Sequence, residues 1–267
     1  MDIIRSDETG PDGFVAILGA LPRELVYIRS KIKIQRKVHQ KGVRFWVGSY
    51  GVQKIVLVQT GIGPSQAQQA TRVTLSCFPV KAIISVGFAC ALHPGMKIGD
   101  LVVGESASFL SEDPCRPGPY PADDRLLLLA GEVSKNTGPS GLEQAAVYQG
   151  PLLTVRRIIE DAAEKRTLAR TSGAIALDME SAAVAGAAAD AQIAYLPVRA
   201  ISDLVDENLS GMSHFFSSEG TFRPLRGLLY LLSHPNDLAH LSRLRAHTIT
   251  ASQRLGCFIH NYLHYLN

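Results

Sequence analysis

The sequence predicts an α/β fold: a three-layer α/β/α arrangement around a mixed, largely parallel twisted central sheet, with a helical extension at the C-terminal end. Three observations lead there. Short apolar or β-branched runs alternate with helix-compatible stretches from Phe14 to Ile201. Glycine and proline turns separate them. Toward the C-terminal end, the apolar residues shift to three- and four-residue steps.

The elements follow in chain order. Phe14 to Ala20 is an apolar strand closed by Gly19-Ala20, and Pro22 opens a helix over Arg23 to Ile32. Arg44 to Tyr50 and Gln53 to Gln59, joined at Gly51-Val52, form a hairpin. Thr60-Gly61-Ile62-Gly63 ends its second strand, and Ser65 to Ser76 has helical composition. Strands are expected at Ala82 to Val86 and at Asp100 to Phe109, and a proline-rich surface loop at Asp113 to Asp123. Leu126 to Lys135 is a helix, Ala145 to Gln149 and Ala174 to Leu177 are strands, Glu180 to Ala189 is an alanine-rich helix and Ile193 to Ile201 a strand. From Asp237 to Leu266 the periodic Leu238, Leu241, Leu244, Leu255, Ile259, Tyr262 and Leu266 predict one long helix or two shorter ones. No stretch is long and polar enough to be a flexible linker, so residues 209–267 are expected to pack on the same domain as residues 14–208.

Composition excludes several classes. The chain is 46% hydrophobic and 19% charged over 267 residues, within the globular range. Its start, MDIIRSDETGPDG, lacks the basic and apolar regions of a secretory signal, and no apolar run approaches a membrane span. Cys77, Cys90, Cys115 and Cys257 are scattered without a CxxC pair, which fits reduced thiols and a cytoplasmic location. A net charge of +3 does not suggest a nucleic-acid binder. The excess sits in the tail, where Arg223, Arg226, Arg243, Arg245 and Arg254 face the single acid Asp237.

The stretch ALDMESAAVAGAAADAQIAYLPVRAISDLVD, residues 176–206, carries the most chemistry. It places Glu180 after one strand and Asp203 at the end of another, positions where sheet enzymes bind small molecules. Two readings fit. A carboxylate at Glu180 can accept hydrogen bonds from paired sugar hydroxyls, and a carboxyl at Asp203 can protonate a leaving heterocycle. Alternatively Asp178 or Glu180 is a first-turn helix acid, and Ser202-Asp203 caps the next helix.

The stretch resembles the nucleoside phosphorylase and nucleosidase superfamily, in particular the methylthioadenosine/S-adenosylhomocysteine nucleosidases. Asp178-Met179-Glu180-Ser181 is similar to their (E/D)ME(A/S) helix start, and Val198-Arg199-Ala200-Ile201-Ser202-Asp203 to their VRAISD strand end. Gly19-Ala20-Leu21-Pro22-Arg23-Glu24 resembles GAMxxE, Thr60-Gly61-Ile62-Gly63 resembles (S/T)GIG, and Ile98 to Val103 resembles (V/I)GD(I/L)VV. The order matches across residues 14–208. The resemblance implies a nucleoside phosphorylase-like fold without cofactor or metal, acting on a small purine nucleoside. It implies that Glu24 orients or deprotonates the attacking water with help from Arg199. Met179 and Glu180 would hold the ribose, and Asp203 would protonate the purine at N7. Ile62, Gly63, Phe88, Ala89 and Leu153 would contact the substrate, and a homodimer or larger assembly would form, a neighbour completing the pocket.

Two departures refine this. Where the family commonly has G(S/T)(A/C)GG, this chain has Gly87-Phe88-Ala89-Cys90-Ala91, and Ser85-Val86 stands where phosphorylases tend to carry an arginine. Loss of a hydroxyl and an arginine removes much of a phosphate site, so water is the expected acceptor. Gly150-Pro151-Leu152-Leu153-Thr154 offers aliphatic residues in place of a stacking phenylalanine, which puts methylthioadenosine selectivity in question. In these features, and in the C-terminal extension, the chain resembles the hopanoid-associated nucleosidase/phosphorylases. That branch implies removal of adenine from an adenosylated hopanoid lipid. The tail would then be a peripheral surface for membrane or lipidic substrate, or else a helical cover on the core; burial of its leucine stripe is the favoured expectation. Phosphorolysis is the alternative reaction, and a catalytically weak nucleoside binder the alternative of another class. Gly61-Ile62-Gly63 lacks the third glycine of a dinucleotide fingerprint, His260 and His264 lack a third metal ligand, and no GxSxG occurs.

Overall fold

The computed structural model describes residues 13–110, 118–136, 145–209 and 237–266. Ten strands and six helices alternate within them: β1 (Phe14–Gly19), α1 (Pro22–Ser30), β2 (Lys33–Gln40), β3 (Val43–Tyr50), β4 (Gln53–Gln59), α2 (Pro64–Cys77), β5 (Val80–Ala91), β6 (Leu101–Phe109), β7 (Tyr120–Pro121), α3 (Asp124–Asn136), β8 (Val147–Thr154), α4 (Ala162–Ser172), β9 (Ala176–Asp178), α5 (Ser181–Asp190), β10 (Ala194–Asp203) and α6 (Asp237–Leu266). Residues 113–117 of the proline-rich loop, Cys115 among them, Arg223, Arg226 and the first part of the C-terminal extension lie outside the described residues.

The expected mixed sheet is present, and its parallel pairings run through the centre. β1 lies between β4 and β5, parallel to both, with Ile17 opposite Leu57 and Ile84. β5 continues in parallel register to β10, from Ala82 opposite Ala194 to Ala89 opposite Ile201. The sheet then curls on itself. β10 pairs with β6, β6 with β8, β8 with β9, and β9 returns to β5. These five strands close a ring, while β1, β4, β3 and β2 extend from it as an open flank. Inside such a ring both faces of a strand are covered, which is why β5 and β10 read as nearly continuous apolar runs.

Helices cover the two faces. Ala67, Ala70, Val73, Ala182, Ala185 and Ala188 of α2 and α5 pack on one cluster with Leu18, Val56 and Ile83. On the other face α1, α3 and α6 bury Leu25, Ile28, Leu126 and Ala130 against Ile17, Leu57, Ile84 and Leu196. Within the described part of the tail, Asp237–Leu266 is one helix, in which Leu255, Phe258, Ile259 and Tyr262 are fully buried. These residues of the helix therefore face the protein itself, while Leu244 is half-buried. Gly256 permits this: a Cβ there would lie 2.4 Å from the Tyr27 Cβ on α1. The Ser252 hydroxyl donates to the Arg23 carbonyl, and the Tyr262 hydroxyl donates to the Leu126 carbonyl at 3.1 Å.

Several elements differ from sequence expectation, among them the two-residue β7 inside the expected loop and β8, which runs five residues past Gln149. β2 alternates exposed and half-buried side chains at an edge, so its lysines and arginine mask the strand pattern. β5 extends five residues past Val86 because β10 and β9 pair with that stretch. α4 has the missed start and stop signals Asp161, whose carboxylate accepts from the Ala163 N–H at 2.8 Å, and Gly173 in the left-handed region at φ 67°. Among the described residues, no helix is long and apolar enough to cross a membrane.

Candidate active site

A cavity of about 200 Å³ opens where strands β1, β4, β5, β9 and β10 give way to the segments that follow them. Glu24, Ile62, Phe88, Ala89, Met179, Glu180 and Asp203 all line it. Residues far apart in the chain thus converge on one cavity. Arg157, Ile158, Leu209, Leu244 and Thr248 form its partly exposed rim, the last two from α6.

Glu24 sits in the first turn of α1, where a carboxylate suits the helix dipole. It is also held from two directions, accepting the Leu21 N–H at 2.7 Å and the Phe88 N–H at 3.0 Å. Burial nevertheless pushes its carboxyl above the ordinary value of 4.5, outweighing those bonds and the charge of Arg199. Gly87 makes room for this contact, since a Cβ there would be 3.1 Å from Glu24 Oε1 and 3.6 Å from the Arg199 guanidinium carbon.

Glu180 occupies the position before α5 without capping it. Its Oε1 instead accepts the Gly63 N–H at 2.7 Å. Gly63 adopts φ 93°, a conformation that favours glycine, so the β4–α2 turn and the Glu180 carboxylate fix one another. Burial first, then Asp178 and Glu24, push the Glu180 carboxyl up to about 8, against the Gly63 N–H and Arg199. Gly63 thus acts through its backbone rather than as a wall of the cavity.

Asp178 takes the capping role. It accepts the Ser181 N–H at 3.1 Å and the Thr154 hydroxyl at 2.7 Å, and pairs with Arg199 Nε at 2.7 Å. Arg199 donates further to the Ser85 carbonyl at 2.7 Å, the Val198 carbonyl at 3.1 Å and the Ser85 hydroxyl at 2.9 Å. It is nearly inaccessible and does not line the cavity. Its influence on Glu24 is therefore through charge. Leu153 is likewise set back, buried in a cluster with Cys90, Leu177 and partly exposed Met179, because β8 pairs with β9 at Leu153–Leu177 and turns that side chain into the core.

Asp203 holds a partner absent from the sequence reading. Lys165 Nζ donates to its Oδ2 at 2.9 Å, and the Ser202 hydroxyl donates to Oδ1 at 3.1 Å. Lys165 was missed because α4 was missed. Ala162, Lys165 and Leu168 recur at three-residue steps on the buried face, with lysine in an apolar slot. Among the described residues, no group of three or more His, Cys, Asp or Glu is placed to hold a metal ion; His260 instead meets the Tyr50 hydroxyl at 3.0 Å.

The model of the phosphorylase superfamily matches residues 14–223. The chain belongs to that superfamily. Two curated relatives are similar to it: the 5′-methylthioadenosine/S-adenosylhomocysteine nucleosidase of Exiguobacterium sp., 28% identical over 73% of this chain and 88% of that one, and its counterpart from Staphylococcus carnosus, 26% identical over 72% and 87%. Solved structures share the fold. That of the Neisseria meningitidis nucleosidase with methylthio-immucillin-A has a TM-score of 0.73 at 21% identity, covering 94% of this chain and 98% of the other. Futalosine hydrolase of Helicobacter pylori has a TM-score of 0.74 at 19% identity, covering 94% and 97%.

Proposed function

We propose that the chain is a purine nucleosidase that hydrolyses the N-glycosidic bond of an adenine nucleoside bearing a bulky or hydrophobic 5′ substituent. The observation that carries this is the meeting of Glu24, Glu180 and Asp203, from three separate elements, at one cavity. Glycosidic cleavage passes through an oxocarbenium-like state, which demands a carboxylate near the sugar and an acid at the leaving group. Water attacks C1′ and gives its proton to Glu24, whose raised carboxyl suits a base. The C1′–N9 bond breaks, its electron pair passes to the purine, and Asp203 hands N7 a proton. Glu180 and Met179 hold the ribose.

Water is favoured over phosphate because Phe88 supplies no hydroxyl and the Ser85 hydroxyl is engaged by Arg199. The apolar Ile158, Leu209 and Leu244 at the rim favour a hydrophobic 5′ group. Adenosylhopane, 5′-methylthioadenosine and S-adenosylhomocysteine are the candidates. A homodimer or larger assembly, testable by light scattering, accompanies the reading.

Incubation with each nucleoside, with and without phosphate, tests it through the sugar released. Free sugar supports hydrolysis, sugar 1-phosphate supports phosphorolysis, and neither product would leave a binding protein. Asp203→Asn should fold yet lose about 10²- to 10⁴-fold in rate on an adenine nucleoside, the usual contribution of general acid catalysis. Near-parental turnover would remove the acid assignment.

A further inference from the structure

We propose that Lys165 is a positioning residue for this reaction: it clamps one oxygen of Asp203 and holds the ammonium where the carboxylate forms as the base departs. The proposal rests on the reading of Asp203 as the acid. The Lys165 side chain is wholly buried, and its ammonium is spent on Asp203 Oδ2 at 2.9 Å, the Leu204 carbonyl at 3.3 Å and the Glu207 carbonyl at 3.0 Å. Packing alone does not call for this, because an apolar side chain in the same slot avoids the cost of desolvating a cation.

The chemistry supplies a reason. When the C1′–N9 electron pair moves onto the purine and N7 takes the Asp203 proton, a neutral acid becomes a carboxylate. Both of its oxygens already have donors, Lys165 on Oδ2 and the Ser202 hydroxyl on Oδ1. A fixed ammonium is worth most where charge develops, so it stabilises the transition state more than the bound substrate. Lys165 is held as an ammonium by its three acceptors, Asp203 Oδ2 and the Leu204 and Glu207 carbonyls, and against the effect of burial the Asp203 charge raises its pKa once the carboxylate has formed. The other groups facing the pair do not supply the charge. Burial keeps the Cys90 thiol neutral, and the Glu207 carboxylate is occupied by the Leu204 N–H at 3.0 Å.

The test compares two leaving groups. The full chain and its Lys165→Gln and Lys165→Met variants are assayed on 5′-methylthioadenosine, whose adenine needs a proton, and on a nitrophenyl riboside, whose phenolate leaves without one. Adenine release should fall about 10- to 100-fold, the worth of one charge-assisted hydrogen bond, while nitrophenolate release holds. Lys165→Arg, which keeps a cation, should recover part of the adenine rate. Equal losses on both substrates would make Lys165 a purely structural residue and overturn the proposal. Where the neutral variants do not fold, Lys165→Arg alone carries the comparison, since a displaced cation should slow adenine more than nitrophenolate. Asp203→Asn in parallel separates the two ideas: if it releases adenine at the parental rate, the acid reading itself fails, whereas a slow Asp203→Asn beside uniform Lys165 effects sinks only the clamp.

Discussion

Replacing Asp178 with asparagine should be among the most damaging single changes in this protein, and its cost can be worked from the contacts. The Asp178 side chain is inaccessible and the Arg199 side chain only 1% exposed, with Nε 2.7 Å from Oδ2. Three donors converge on the carboxylate: Arg199 Nε, the Thr154 hydroxyl and the Ser181 N–H. An amide offers one acceptor oxygen and turns its NH₂ toward at least one of them. The guanidinium is then left buried and uncompensated, which costs about 3–5 kcal/mol. For a domain of this size each kcal/mol lowers the melting temperature by roughly 2–4 °C, so a fall of about 6–20 °C is expected. Thermal and urea unfolding of Asp178→Asn, Arg199→Met and the double variant measure it. The double variant removes the stranded charge, so it should recover more than half of the loss. A single-variant cost below about 1 kcal/mol, or a double variant as unstable as the two losses added, would refute the argument that the pair is held by mutual neutralisation.

Other outcomes follow from the cavity. Because the Glu180 carboxyl is raised from 4.5 to about 8, the unfolded chain has released that proton between those values while the folded protein retains it. Its contribution is thus fully present below about 4.5 and is lost as pH rises toward 8; urea midpoints should fall more between pH 5 and 8 for the parent than for Glu180→Gln, and the reverse ordering would contradict the assignment. Glu180→Gln should also narrow the preference for ribo- over 2′-deoxyribonucleosides, read as the ratio of kcat/KM values. Gly87→Ala places a methyl 3.1 Å from Glu24 Oε1, and should cut turnover about 10- to 100-fold while barely moving the melting temperature. Gly256→Ala sets a Cβ 2.4 Å from Tyr27 and should cost about 1–3 kcal/mol in denaturant by forcing α6 off α1.

Much of this site was legible because its residues lie beside strong local signals. Glu24 follows a proline at a helix start, and Asp203 ends an apolar strand, so both could be placed before any fold was known. Asp178 and Glu180 were legible as acids at a helix start but not in their division of labour. Only the fold reveals that Arg199 reaches Asp178, so that the nearer acid caps α5 and the farther one turns to Gly63. Lys165 was not legible. A lysine in a polar stretch ordinarily marks a solvated face, and its partner is 38 residues away. The Asp161-Ala162-Ala163-Glu164 start and the Gly173 stop were available as signals for its helix. Ring closure through β10 and β5 was equally hidden, since pairing partners are chosen by the whole sheet rather than by either strand.

The way α6 is fastened bears on how such a protein can change its diet. Leu244 and Thr248 touch the cavity, whereas the helix is moored mainly further along, by Ser252, Leu255, Phe258, Ile259 and Tyr262, with one exposed bond from Arg23 to the Thr248 hydroxyl at 3.2 Å. Both groups lie past residue 223, where the family match ends. Drift at Leu244 can therefore reshape what fits at the cavity rim without loosening the buried mooring and without touching any of the three carboxylates. Selection can sample new substrates there at little risk to folding, while the bond-breaking apparatus is inherited intact.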